Sequence, residues 1–369
     1  MIKILFFIET IVGGGAEKVL RNLVNNMDQN KFNITVQTVW PCNPNNYLVP
    51  GIRYKSIYRK QNILNTIRYR VEAAFGLSYS LHIKDDYDIE CAYLECGTTK
   101  VLSSSTNKKA VKLAWVHCDL KKLMPDPEAF AKETAKYYAK YNKVVCVSEK
   151  GKQSFVELFG NSIETDIVHN TVDCEEILQK AVDELPNKEA VYHPLVVSLG
   201  RLSTPKHYMR LLRAHKKLMD EGVEHNLLIV GEGPDRAELE QFIEENHLQN
   251  SVQLPGFKSN PYPYLKAADL LACSSIYECF STFITEGLIL GKPIVTTDVS
   301  GMRELLGDSE YGFITDNDDD EFYKGMRRML LDSKMRSDYA RKAIIRGKSF
   351  STNKLVKDTE QFLIKEYLT

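Results

Sequence analysis

Short runs of apolar and β-branched residues punctuate the first half of the chain: IKILFFI, FNITVQTVW, YDIECAYL, AVKLAWVH, KVVCVS and TDIVHN. Each has strand length and strand composition. Between most of them lie longer segments whose apolar positions repeat with the helical period, such as AEKVLRNLVNNM. This alternation predicts β–α units and a parallel sheet. Charge and proline then break the pattern at DELPNKEAVYHP, residues 183–194, which reads as a linker. A second series follows: LVVSLGR, HNLLIVGEG, SVQLPGF, DLLACSS, KPIVTTD and YGFIT. The expected architecture is α/β, with two doubly wound Rossmann-like domains, residues 1–184 and 192–350. The last patterned segment, 352–369, is expected to cross back onto the first domain. Open α/β sheets bind ligands outside the carboxyl ends of their strands, so the expected site is a central cleft faced by both domains.

Composition narrows this picture. A chain of 369 residues exceeds what one core usually supports, in keeping with two domains. The net charge of −1 argues against a nucleic-acid partner. It hides an asymmetry: residues 1–125 carry 17 Lys and Arg against 10 Asp and Glu, and the remainder 31 against 39. A basic front part points to a polyanionic partner or an anionic membrane surface. The eight cysteines include no C-x-x-C pair and mostly sit in apolar runs, as expected of reduced thiols in a cytoplasmic protein. The apolar run at the start is cut short by Glu9 and glycines, which does not fit a signal peptide. No stretch reaches the roughly 20 apolar residues that span a bilayer.

Candidate chemistry lies at the strand ends. GGGAEKVL, residues 13–20, opens a helix. Its glycines allow close backbone approach and its N-terminus suits an anion, although a plain tight turn reads equally well. It is not a dinucleotide fingerprint, because Lys18 stands where the third glycine belongs, and no Walker sequence occurs. SLGRLSTPKHYMRLLRAH, residues 198–215, ends a strand at Gly200 and is expected to start a helix with Pro205 in its first turn and Ser203 or Thr204 as cap. Arg201 and Lys206 lie off its apolar face, either as a diphosphate clamp or as solvated surface cations. His117, just past a strand in WVHCDL, reads as structural or as a cleft residue. GEGPDRAELE, starting at Gly231, is another glycine-bearing strand-to-helix turn. In YECFSTFITEGL, a helix is expected near Ser281 or Thr282, with Glu278 before it and Glu286 in its first turns. Its free N–H groups suit a phosphate, and the acceptor-only carboxylates suit hydroxyls beside it. DYD at 86–88 precedes a strand and reads as a solvated turn rather than a metal site.

Together these segments resemble the retaining family-4 glycosyltransferases of GT-B fold, of the bacterial capsule and exopolysaccharide type. GRLSTPK is similar to their G-R-x-x-x-x-K segment and ECFSTFITE to their E-x7-E motif. GGGAEKVL looks like their glycine loop and WVHCDL like their His-containing strand end. The resemblance covers roughly residues 2–306. It implies that Arg201 and Lys206 hold the diphosphate of a nucleoside-diphosphate sugar, Glu286 its ribose and Glu278 the transferring sugar. Gly14 and Gly15 would lie against phosphates or sugar, Gly231, Ser281 and Thr282 beside the donor, and His117 at the reaction centre on the acceptor side. It implies no metal and no cofactor beyond the nucleotide sugar, with UDP-sugar favoured. The acceptor would be a glycan or a polyprenyl-diphosphate-linked glycan. Where the family commonly reads E-G-F-G, Cys279 and Ser281 replace both glycines, so the loop departs from the pattern. Rival readings are a non-catalytic sugar-nucleotide-binding partner subunit, or another GT-B enzyme such as a sugar-nucleotide epimerase.

One further segment draws notice. Ile63, Leu64, Ile67, Val71, Ala74 and Phe75 recur at helical spacing, Arg68 and Arg70 fall elsewhere on the same helix, and Arg53, Lys55, Arg59 and Lys60 precede it. The apolar face is either core or a peripheral membrane contact at the inner face of the cell membrane.

Overall fold

The computed structural model describes residues 1–183, 194–278 and 280–369. The chain divides into two compact units, Met1–Val172 with Thr352–Thr369, and Asp173–Ser351. The expected boundary at 184 therefore moves. The helix Cys174–Lys180 buries Ile177 and packs against the helices Tyr262–Ala267 and Thr282–Ile289 of the second unit. Asn260 Nδ2 donates to the carbonyl of Lys180 at 2.9 Å. Most of the expected linker, 184–193, lies outside the described residues, as does the boundary at 192.

The first unit holds β1 (Ile2–Ile8), β2 (Phe32–Thr38), β3 (Arg53–Ser56), β4 (Ile89–Ala92), β5 (Val111–Val116), β6 (Lys143–Cys146) and β7 (Thr165–Ile167). They form an all-parallel sheet in the order β3-β2-β1-β4-β5-β6-β7. The second unit holds β8 (Leu195–Leu199), β9 (Asn226–Val230), β10 (Val252–Gly256), β11 (Leu270–Cys273), β12 (Ile294–Thr297) and β13 (Phe313–Thr315). Their order is β10-β9-β8-β11-β12-β13, again parallel. Both sheets reverse direction beside their first strand, at β1/β4 and at β8/β11, which is the doubly wound plan. Helices cover both faces, so central strands are apolar throughout: Ile4 to Ile8 and Leu195 to Val197 are fully buried.

Strand β3 has no apolar signal. It is an edge strand of sequence RYKS, and Arg53 and Lys55 both pair with Asp85 Oδ2, at 2.6 and 2.5 Å. The C-terminal helix Thr352–Leu368 joins the first unit by burying Val356 and Leu363. Glu366 Oε1 accepts from Lys143 Nζ at 2.7 Å, and Glu360 Oε1 from the Asp28 amide at 2.6 Å. Seven cysteines at described positions are free thiols. No helix among the described residues is long and apolar enough to cross a membrane.

Candidate active site

At the switch point of the second sheet, β8 runs out at Gly200 and β11 at Ser274. After Gly200 (φ +155°) comes Arg201, exposed and with no charged partner among the described residues. The expected single helix does not start at Pro205. Thr204–Lys206 is a 3-10 turn, His207 takes a left-handed conformation, and the α-helix begins at Tyr208 and runs to Asp220. Neither Ser203 nor Thr204 caps it. The break turns Lys206 toward the loop after β11, and that loop grips the turn. Ser274 Oγ donates to the Lys206 carbonyl at 2.9 Å, and the Ile276 amide to the Pro205 carbonyl at 2.9 Å.

The grip brings Lys206 Nζ onto Glu278 Oε1. Ser275 Oγ donates to the same oxygen at 2.8 Å, which leaves Oε2 without a protein donor among the described residues. Burial disfavours the Lys206 ammonium, but the Glu278 charge outweighs it and holds its pKa well above the ordinary lysine range. Lys206 and Glu278 remain reachable, with a quarter and an eighth of their side chains exposed.

Beyond Glu278, and past Cys279, which lies outside the described residues, the helix Thr282–Ile289 begins. Ser281 holds its N-cap position without making the expected side-chain cap: its hydroxyl is buried and has no hydrogen-bond partner among the described residues. Thr282 opens the first turn, and Glu286 is buried in the second.

Gly231 (φ +153°) has a packing role of its own. A side chain there would overlap the Gly200 carbonyl, and one on Gly233 the Leu202 carbonyl. The two glycines let the β8 and β9 loops touch, through Gly200 N to Val230 O and Leu202 N to Glu232 O, both 3.0 Å. A further support was not legible in sequence. Arg210, buried in the helix Tyr208–Asp220, donates from Nε to Asp319 Oδ1 and from Nη1 to Asn317 Oδ1, both 2.7 Å, and from Nη1 to the Ser274 carbonyl at 3.3 Å. Asn317 Nδ2 then donates to the Ile276 carbonyl at 3.1 Å. A cation on an otherwise apolar helix face was the available signal.

The switch point of the first sheet carries acids. Gly14 stands at the N-cap of the helix Gly15–Asn26 and the Glu17 carboxylate folds back against it, while the space beside Gly15 is open. Burial raises the pKa of Glu17, and the Glu9 and Glu95 charges add to it against Arg21. Burial also raises Glu9. A Cβ on Gly97 would come within 2.7 Å of Glu9 Oε1 and 3.1 Å of the Tyr69 hydroxyl. His117 donates its amide to Glu95 Oε2 at 3.1 Å and packs its ring against Tyr93, with centroids 4.9 Å apart. Burial lowers its pKa to about 4, against the Glu95 charge and the Tyr93 backbone and Asn170 side chain, which favour the protonated ring. His117 is thus a neutral imidazole near pH 7. Glu9, Glu17 and Glu95, which the sequence reading did not single out, make this end suited to hydroxyls rather than phosphate. Asp88 of the DYD turn accepts from the Lys3 amide at 2.7 Å, a structural role. No group of three or more His, Cys, Asp or Glu poised for a metal occurs among the described residues.

Residues 182–346 match the family of glycosyl transferases group 1. Gly200 to Asp319, and with them every residue of the second-sheet site described above, fall inside the matched segment. A curated relative, the N-acetylgalactosamine-N,N'-diacetylbacillosaminyl-diphospho-undecaprenol 4-alpha-N-acetylgalactosaminyltransferase of Campylobacter jejuni, is 34% identical over 230 residues, 62% of this chain and 61% of the relative. The chain spans about half the length of the curated relatives it matches. Anabaena HepE in complex with UDP and glucose has a similar fold, with a TM-score of 0.77 at 18% identity over 98% of this chain and 99% of that one. Sucrose-phosphate synthase from Thermosynechococcus elongatus gives 0.80 at 16% identity, over 99% of both chains. Both units are thus Rossmann-like α/β units, the fold seen in these two proteins.

Proposed function

We propose that the protein is a retaining glycosyltransferase that moves a hexose or N-acetylhexosamine from a nucleoside-diphosphate sugar, UDP-sugar by preference, to a lipid-linked glycan in cell-surface polysaccharide synthesis. The observation that carries this reading is the arrangement after β8 and β11. A buried Ser281 hydroxyl with no partner among the described residues sits at a helix N-terminus, in the same carboxyl-end loops as an exposed Arg201 and a Lys206 held charged by Glu278. Such groups neutralise a diphosphate. The acceptor class takes support from the Campylobacter relative, whose name carries a diphospho-undecaprenol substrate. The UDP preference accords with the ligand of the Anabaena complex.

In this reading the anomeric C–O bond breaks with its electron pair leaving on the diphosphate. Arg201, Lys206 and the first-turn N–H groups near Ser281 and Thr282 stabilise that charge. Glu278 is engaged by Lys206 and Ser275 at Oε1, so its role is to accept a sugar hydroxyl at Oε2 rather than to attack carbon. Glu286 holds the ribose. The acceptor hydroxyl adds on the face the phosphate leaves, and its proton passes to a departing phosphate oxygen. His117, neutral, lines the acceptor side. Because two cations and a helix N-terminus supply the positive charge, transfer is expected to survive a chelator. NMR of the product tests the stereochemistry. An anomeric configuration matching that of the donor supports the reading, and an inverted one overturns it.

A further inference from the structure

The helix Ile63–Ala74 does not bury its apolar face. Ile63, Leu64 and Phe75 are 81%, 74% and 76% exposed, and Ile67, Val71, Leu77 and Leu81 are exposed as well. Of the two readings of this face, core is therefore excluded. At about 100° per residue, Ile63, Ala74, Ile67, Val71, Leu64 and Phe75 fall within an arc of about 120°. Arg70 lies about 20° beyond one edge of that arc and Arg68 about 20° beyond the other.

The opposite side anchors the helix. Tyr69, Glu72 and Ala73 are buried, and Asn62 caps the first turn by accepting from the Asn65 amide at 2.8 Å. Glu72 is the one acid between residues 59 and 84. It points inward, accepting from the Tyr58 hydroxyl at 2.9 Å and Arg68 Nε at 2.6 Å, with His82 Nε2 2.7 Å away. Arg59, Lys60, Arg70 and Lys84 are exposed on the same segment, and none has an acidic partner among the described residues. The outward surface of 59–84 thus combines large apolar side chains with cations and presents no acid.

We propose that this surface docks the protein on an anionic bilayer, with the helix lying in the membrane plane. Ile63, Leu64, Ile67, Val71 and Phe75 enter the headgroup–acyl boundary, and Arg59, Lys60 and Arg70 meet lipid phosphates. Long cationic side chains at the rim of an apolar arc suit this geometry, because their stems follow the apolar surface while the charge stays in the polar layer. A protein partner would need acids set around an apolar groove, whereas an anionic bilayer offers both layers at once. The docking stands on the exposed face alone; its purpose, reaching a lipid-linked acceptor, rests on the function proposed above.

The test uses the full chain in co-sedimentation with phosphatidylcholine vesicles, with and without phosphatidylglycerol. Binding to the phosphatidylglycerol vesicles alone, weakened by salt, is expected. Leu64→Asp with Phe75→Asp, at positions too exposed to disturb folding, should cut the bound fraction about tenfold, as should Arg59→Glu with Lys60→Glu and Arg70→Glu. Arg68 is kept because it bridges Glu72. No binding by the wild type at low salt overturns the proposal. So does binding that ignores the apolar substitutions, which marks a purely electrostatic patch, and so does a wild-type dimer that Leu64→Asp dissolves, which marks a self-interface. Transfer to a short water-soluble acceptor, assayed without vesicles, should be the same in wild type and variants. Its absence alongside intact vesicle binding would count against the proposed function and leave the docking in place.

Discussion

Lys206 and Glu278, 72 residues apart in sequence, form an ion pair at the switch point of the second sheet. The cation assigned to the diphosphate and the acid assigned to the sugar are therefore one electrostatic unit. Lys206→Ala should weaken UDP binding by about 1.5–3 kcal/mol. Glu278→Gln should leave UDP affinity unchanged or tighten it, since it frees the ammonium, while lowering kcat. In a calorimetric double-mutant cycle the two changes should couple by about 0.5 kcal/mol or more. Strict additivity would show that the pair does not act on the ligand together.

Ser281 predicts effects of opposite sign in the free and bound protein. Its buried hydroxyl has no partner among the described residues, so Ser281→Ala removes an unsatisfied group and should leave stability equal or higher. The same change should weaken UDP by about 1 kcal/mol, one hydrogen bond to phosphate. Loss of stability without loss of affinity would assign Ser281 to folding.

Arg210 holds the loop that carries Glu278 through Asn317, Asp319 and the Ser274 carbonyl. Arg210→Ala should cost about 1.5–3 kcal/mol in urea unfolding, because Asp319, Asn317 and the buried Ser274 carbonyl lose their shared charged donor together. It should also lower kcat, although Arg210 touches no substrate in this reading. A stable, fully active variant would show the loop to be held by other contacts.

Buried histidines set the response to acid. His225 Nδ1 lies 2.8 Å from the Val223 carbonyl and so carries the proton. That makes His225 Nε2 the acceptor for His215 Nδ1–H at 2.9 Å. A second proton would set two donors against each other. Burial, aided by His225, lowers His215 to about 3, and burial lowers His117 to about 4. Both lie below the unfolded value, so the unfolded chain takes up protons first. Their contribution to stability is complete above about pH 6.5 and falls as pH drops from there toward the folded values. The slope is about 1.4 kcal/mol per pH unit for a fully buried imidazole such as His215. Urea midpoints that stay level between about pH 7 and pH 5 would contradict this, as would an NMR titration of His117 near pH 6.5.

The doubly wound plan was legible because central parallel strands are buried on both faces and read as unbroken apolar runs. Edge strand β3 was not, since its RYKS sequence pairs cations with Asp85 instead of filling a core. Pro205 suggested a helix start that the chain delays to Tyr208, because nothing local signalled that His207 would turn left-handed and redirect Lys206. The meeting of Lys206 with Glu278, and of Gly231 with Gly200, depends on strand neighbours distant in sequence. The Ile63–Phe75 pattern gave the period of a helix without saying what its apolar side would face.

The most direct test of the central claim is a transfer assay. The full chain is incubated with a panel of nucleotide sugars and a polyprenyl-diphosphate-linked glycan in excess EDTA, with the Arg201→Ala and Lys206→Ala variants alongside. One nucleotide sugar should give a lengthened glycan despite the chelator, and each variant should lose most of that activity. Failure of every donor, with or without added Mg²⁺ or Mn²⁺, or full activity in both variants, would contradict the account.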